Sequence, residues 1–127
     1  MGITNEAARV YLKKAEENLR AATVLAKEKH FNAAVTRAYY SSFQIAYQKM
    51  LRNGVVTLEE HDSLHRKAED FISKNARLSF SKFHELLGYR RKADYSTTLL
   101  SEGECNYLKG RSSSLFQELK DIFAYDL

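Results

Sequence analysis

Phe31-Asn32-Ala33-Ala34-Val35-Thr36-Arg37-Ala38-Tyr39-Tyr40-Ser41-Ser42-Phe43 carries apolar side chains at Phe31, Val35, Ala38 and Phe43, and Ala46 and Met50 continue the series. Steps of this size put the apolar side chains on one stripe of an α-helix. Asn53-Gly54 ends that helix, because both residues tolerate the left-handed backbone of a C-terminal stop. Upstream, Ala8, Tyr11, Leu12, Ala15, Leu19, Ala22 and Ala26 recur at three- and four-residue intervals and predict a first helix from about Asn5 to Lys29, charged on its other face. The junction near His30 is short, so the two helices should pack antiparallel as a hairpin.

Three more helices follow from the same reasoning. A third is expected from Leu58 to Lys74, with Thr57 as its cap, Glu60 as the reciprocal carboxylate of a capping box, and Phe71 and Ile72 anchoring its end. Ser79 or Ser81 can cap a fourth that runs into Arg90-Arg91-Lys92-Ala93-Asp94-Tyr95, after which Ser96-Thr97-Thr98 reads as a loop. Ser101 with Glu104 forms another capping box, and Leu108, Leu115, Leu119 and Ile122, widened by Phe116 and Phe123, mark the last helix. The reading is therefore all-α: an antiparallel, up-and-down bundle of four to five helices in a single domain over residues 1–127.

Composition agrees. The 127 residues contain no proline and only five glycines, which favours long uninterrupted helices, and the length suffices for one core without disulfides. A lone cysteine, Cys105, cannot form an internal disulfide and reads as a packing residue of a cytoplasmic protein. No apolar run approaches the ~20 residues needed to cross a membrane, so the expectation is a soluble chain with no membrane partner. Glu6 stands where a myristoylation signal needs Ser or Thr. The net charge of +4 permits a nucleic-acid partner without demanding one.

Two polar clusters could carry chemistry. In the fourth helix, Phe83, Leu86 and Leu87 form an apolar stripe that Arg90 and Asp94 continue, which places a charged pair at the edge of the core. Such a pair either fixes helix packing or forms a phosphate-binding or catalytic site. In the second helix, Arg37, Tyr40, Ser41, Gln44 and Tyr47 share one side, where arginine could hold phosphate and tyrosine could stack on a base or serve as wide core.

The four histidines invite metal and proton-transfer readings. His61 and His65 stand four apart, but Asp62 occupies the position of the glutamate in an H-E-x-x-H site and no third ligand is placed nearby, so neither a metal nor any other cofactor is expected. Metal-independent RNA cleavage needs a base, an acid and a cation at the phosphate, roles that histidine and arginine fill near neutral pH. Arg77 and His84 have a formal arginine-to-histidine spacing, but a helix start falls between them. His84 and Arg91, on one helix face, would stand ~10 Å apart.

The segment Ala33-Ala34-Val35-Thr36-Arg37-Ala38-Tyr39-Tyr40-Ser41-Ser42-Phe43, followed by Arg90 through Tyr95, resembles the HEPN family of prokaryotic helical-bundle proteins, in the branch with S-R-x-Y-Y-A and R-x-x-A-D-Y segments. The resemblance runs over nearly the whole chain and includes a histidine at the start of helix three, matched here by His61. It implies a four- or five-helix bundle, frequent homodimers, and a role in toxin–antitoxin pairs or antiviral defence, often beside a minimal nucleotidyltransferase. Active members of the family are metal-independent ribonucleases whose R-x(4-6)-H motif meets its twin across a dimer interface. This chain has Asp94 and Tyr95 where that motif would have histidine. A tyrosine of pKa near ~10 is a poor base at neutral pH and an aspartate near ~4 a poor acid, which leaves enzymatic activity open.

The expected site therefore comprises Arg90, Asp94 and Tyr95 as its catalytic candidates and Arg37, Tyr40, Arg91 and His61 as its ligand-binding ones. The expected role is that of a small toxin–antitoxin or defence protein, forming a homodimer and facing RNA or a nucleotide. The competing role is a non-catalytic substrate-binding or regulatory partner of a separate minimal nucleotidyltransferase, with an antitoxin as the other expected partner.

Overall fold

Five helices account for the fold, and the second is their axle. The computed structural model describes residues 2–127 and gives α1 Asn5–Lys27, α2 Phe31–Arg52, α3 Leu64–Asn75, α4 Phe80–Tyr95 and α5 Glu102–Phe123, with a short 3-10 turn at Arg77–Ser79. Packing of α2 against each of the other four explains why twelve of its 22 residues are buried, from Ala34 to Leu51. Its apolar stripe is wide, and Ala33 and Arg37 mark the side left to solvent.

The hairpin of α1 and α2 forms as the sequence predicts. Ala8, Ala15 and Ala22, seven residues apart, are the fully buried positions of α1, so methyl-sized side chains stand where it presses on α2. Both hairpin helices end on the same device. After α1 the Lys29 N–H donates to Ala26 and the His30 N–H to Leu25, with Lys29 at φ 64°. After α2 the Gly54 N–H donates to Leu51 and the Val55 N–H to Met50, with Gly54 at φ 71°. In both, a left-handed residue lets two N–H groups reach back to the last carbonyls. Glycine does this freely; lysine does it against the crowding of its own Cβ.

Several sequence expectations need correction. Helix three begins at Leu64, not Leu58. Glu60 does accept from the Thr57 N–H at 3.0 Å, but the Glu60 N–H returns to the Thr57 carbonyl and closes a turn, not a helix. Residues 58–63 offer only Leu58 as an apolar side chain, and it is exposed, so nothing there offsets the cost of ordering a helical turn. Ser79 occupies the residue before α4, yet its hydroxyl donates to Glu118 of α5 and leaves the helix start without a side-chain cap. In α5 the buried stripe runs Cys105, Leu108, Ser112, Leu115, Leu119 and Phe123, and Ile122 lies outside it, exposed. The capping box of Ser101 and Glu104 is present in both halves.

Candidate functional site

Among the described residues Arg90 is the one arginine buried as a whole residue, although the side chain of Arg52 is equally enclosed. Its place follows from periodicity: Phe83, Leu86, Leu87 and Arg90 are the buried positions of α4, so the stripe that anchors the helix carries the guanidinium inward. Three tyrosine rings receive it. The guanidinium carbon lies 5.9 Å from the Tyr39 ring centre, 5.4 Å from Tyr40 and 5.3 Å from Tyr95, within range of cation–π attraction. Its Nη2 donates to the Tyr40 hydroxyl at 2.9 Å and to the Tyr95 hydroxyl at 3.4 Å.

Asp94, one turn on, brings Oδ2 to 3.1 Å from the Arg90 Nε. That separation is an ion pair's, but the Nε–H is not directed at the oxygen and makes no hydrogen bond, so the pair is coulombic and the proton is unspent. The other Asp94 oxygen accepts from the Thr36 hydroxyl of α2 at 2.7 Å. Asp94 thus sits between two helices, half-screened by water.

Beneath the cluster lies a residue to which the sequence reading gives no role. His65, in the first turn of α3, holds its Nδ1 2.7 Å from the Tyr39 hydroxyl and packs against Tyr40 and Phe43. Burial, then the charges of Arg90 and Arg91, lower its pKa from 6.5 to about 4. Burial pushes the Tyr39 hydroxyl in the opposite direction, well above the usual tyrosine range. The Tyr39 hydroxyl keeps its proton and His65 is neutral, so one hydrogen bond joins them, its direction set by the imidazole tautomer. The signal for His65 is present in the sequence: His65, Ala68 and Ile72 share a stripe, whereas His61 precedes the helix.

The expected residues divide into three groups. Arg90, Asp94, Tyr95 and Tyr40 come together, with Tyr39, His65 and Thr36 as additional members. Arg91 and His61 are exposed, and with Ser63, Leu64, His65 and Arg66 they line an open depression of about 380 Å³ beside the cluster. Arg37 is exposed on α2 and donates from Nη1 to Asn18 of α1 at 3.2 Å, away from Arg90's own partners. Of its expected neighbours, Ser41 is fully buried and donates to the Ala38 carbonyl of its own helix. His84 pairs through Nδ1 with Glu69 of α3 at 2.6 Å and takes no part.

The arrangement supplies cations, N–H donors and tyrosine rings against one carboxylate, a set suited to holding an anion. A family model described as HEPN domain matches residues 8–122. A protein of Methanocaldococcus jannaschii named "Putative toxin MJ0142" is 30% identical over 100 residues, spanning 76% of this chain and 68% of that protein.

Proposed function

We propose that this chain, which belongs to the HEPN family, is the toxin-like component of a toxin–antitoxin or defence system and holds an RNA or nucleotide phosphate at the Arg90 cluster. The observation that carries this reading is Arg90, its side chain 10% exposed and ringed by tyrosines, with an Nε–H that Asp94 approaches without accepting. A buried N–H left unspent costs stability, and a phosphate oxygen that displaced the Asp94 carboxylate would recover that cost. Tyr95, 75% exposed, has a free ring face on which a base can stack. Arg91, Arg37 and His61 add exposed donors and charge around the bound strand.

A binding role is favoured over vigorous cleavage. His65 is neutral, but its Nδ1 is engaged by the Tyr39 hydroxyl, which removes that nitrogen from proton transfer. Asp94 is engaged by Thr36, and a tyrosine is a weak base near neutral pH. Metal-independent cleavage, if it accompanies binding, is therefore slow. The homodimer and the antitoxin or nucleotidyltransferase partner implied by the resemblance belong to this same reading.

Fluorescence anisotropy with a short single-stranded RNA tests it. Arg91→Ala and Arg37→Ala should each weaken binding several-fold and flatten its salt dependence by about 0.7 in the log–log slope for each phosphate no longer neutralised, with the thermal transition unmoved because both side chains are exposed. Arg90→Ala should abolish most of the binding. Equal affinity in all three variants would refute an anion site here.

A further inference from the structure

Asn32, Thr36 and Tyr40 stand four residues apart on α2 and therefore share one face. Each grips the same stretch of chain. Tyr40 accepts from Arg90 and Thr36 donates to Asp94. Asn32 does more: Nδ2 donates to the Ala93 carbonyl at 3.2 Å and to the Thr98 carbonyl at 3.0 Å, and Oδ1 accepts from the Leu100 N–H at 2.9 Å. Both amide protons and the carbonyl oxygen are thus spent on backbone groups on either side of Asp94 and Tyr95. Only one orientation of the amide satisfies all three, so the side chain is fixed.

We infer that Asn32 is a positioning residue for the Arg90 cluster: its three bonds close the segment from Ala93 to Leu100 into a fixed loop and thereby hold Asp94 and Tyr95 over the guanidinium. Apart from Asn32, residues 96–99 are tied only to their own neighbours: the Ser96 N–H and hydroxyl both donate to the Lys92 carbonyl, the Thr98 N–H donates to the Ser96 hydroxyl, and Leu99 is 87% exposed. Without Asn32 the last turn of α4 frays, the Tyr95 ring leaves Arg90, and Asp94 keeps only Thr36. The three rungs differ in kind. Tyr40 touches the guanidinium, whereas Asn32 and Thr36 act on it through the chain they restrain.

The binding arm of the test rests on the phosphate-binding reading; the spectroscopic arm does not. In the full chain, Asn32→Ala should shift the Arg90 Nε–H nitrogen-15 signal towards that of a free arginine and speed its exchange with water at least tenfold. Core methyl signals of Leu86 and Leu115 should stay in place. Asn32→Asp, which keeps the acceptor for Leu100 and loses both donors, should give an intermediate shift and serves if the alanine variant folds poorly. An unchanged Arg90 signal in a folded Asn32 variant would overturn the inference. RNA affinity should fall about tenfold in Asn32→Ala, the scale on which a loss of preorganisation is felt. If wild-type protein binds no RNA while the Arg90 signal moves, the phosphate reading fails and the positioning role stands. If RNA binds and neither signal nor affinity changes, the positioning role fails alone.

Discussion

Removing Asp94 strands Arg90, and the size of the effect can be bracketed from exposure. The Arg90 side chain is 10% exposed and that of Asp94 28%. Breaking a fully buried pair costs about 3–5 kcal/mol, because one charge is left without compensation, and an exposed pair contributes at most about 1 kcal/mol. Asp94→Ala falls between these limits, at about 2 kcal/mol, since Arg90 keeps its bonds to Tyr40 and Tyr95 and its place among three rings. Arg90→Met keeps the volume and places an apolar chain between those rings, so it should cost about 1–2 kcal/mol, mainly in cation–π attraction. In the double variant no guanidinium is stranded, and its destabilisation should fall short of the sum by about 1 kcal/mol. Urea unfolding of the four proteins at pH 7 measures the cycle. Additive effects, within the error of the four measurements, would show that Arg90 and Asp94 are not coupled and would refute the reasoning.

His65 makes the fold acid-sensitive in a defined window. Its pKa is about 4 in the folded chain against 6.5 unperturbed, so between these pH values the unfolded chain binds a proton that the folded chain does not. Stability therefore rises with pH across the window and is lost as pH falls through it, by roughly 2–3 kcal/mol in all. His65→Gln should flatten that part of the stability–pH curve, and an imidazole NMR titration of the native protein with a midpoint above pH 6 would refute the assignment. Lys29→Gly relieves the left-handed strain at the end of α1 and should stabilise by about 0.5–1 kcal/mol, a rise of a few degrees by calorimetry. A fall in the transition temperature would show that the Lys29 side chain makes a contribution larger than the strain.

The features legible in the sequence are those that depend on near neighbours. The capping box of Ser101 and Glu104 and the stop at Asn53-Gly54 are decided within a few residues, and both are present. The stripe that ends in Arg90 is equally legible, because each of its members repeats the helical period. Two kinds of feature are not. The start of α3 depends on whether residues 58–63 can bury anything, which is a property of the packed bundle, and a start set too early favours His61 over His65. The partners of Asn32 and Thr36 lie 58 to 68 residues away. Periodicity tells which way a polar side chain faces but not what meets it there. The exposed Ile122 and buried Phe123 illustrate the same limit in miniature, since adjacent residues differ by about 100° around a helix and both lie near the edge of the stripe.

The unequal anchoring of the helices has a kinetic consequence. Amides of α2, which packs against all four other helices, should exchange last, whereas α3 has 12 residues and buries only Ala68, Phe71 and Ile72. Local opening should therefore begin at α3, at a free energy well below that of global unfolding. That motion carries His65 away from Tyr39 and uncovers the floor of the Arg90 cluster while its wall of α2 and α4 stays intact. The cluster can thus exchange between a closed and an accessible form without the rest of the protein unfolding.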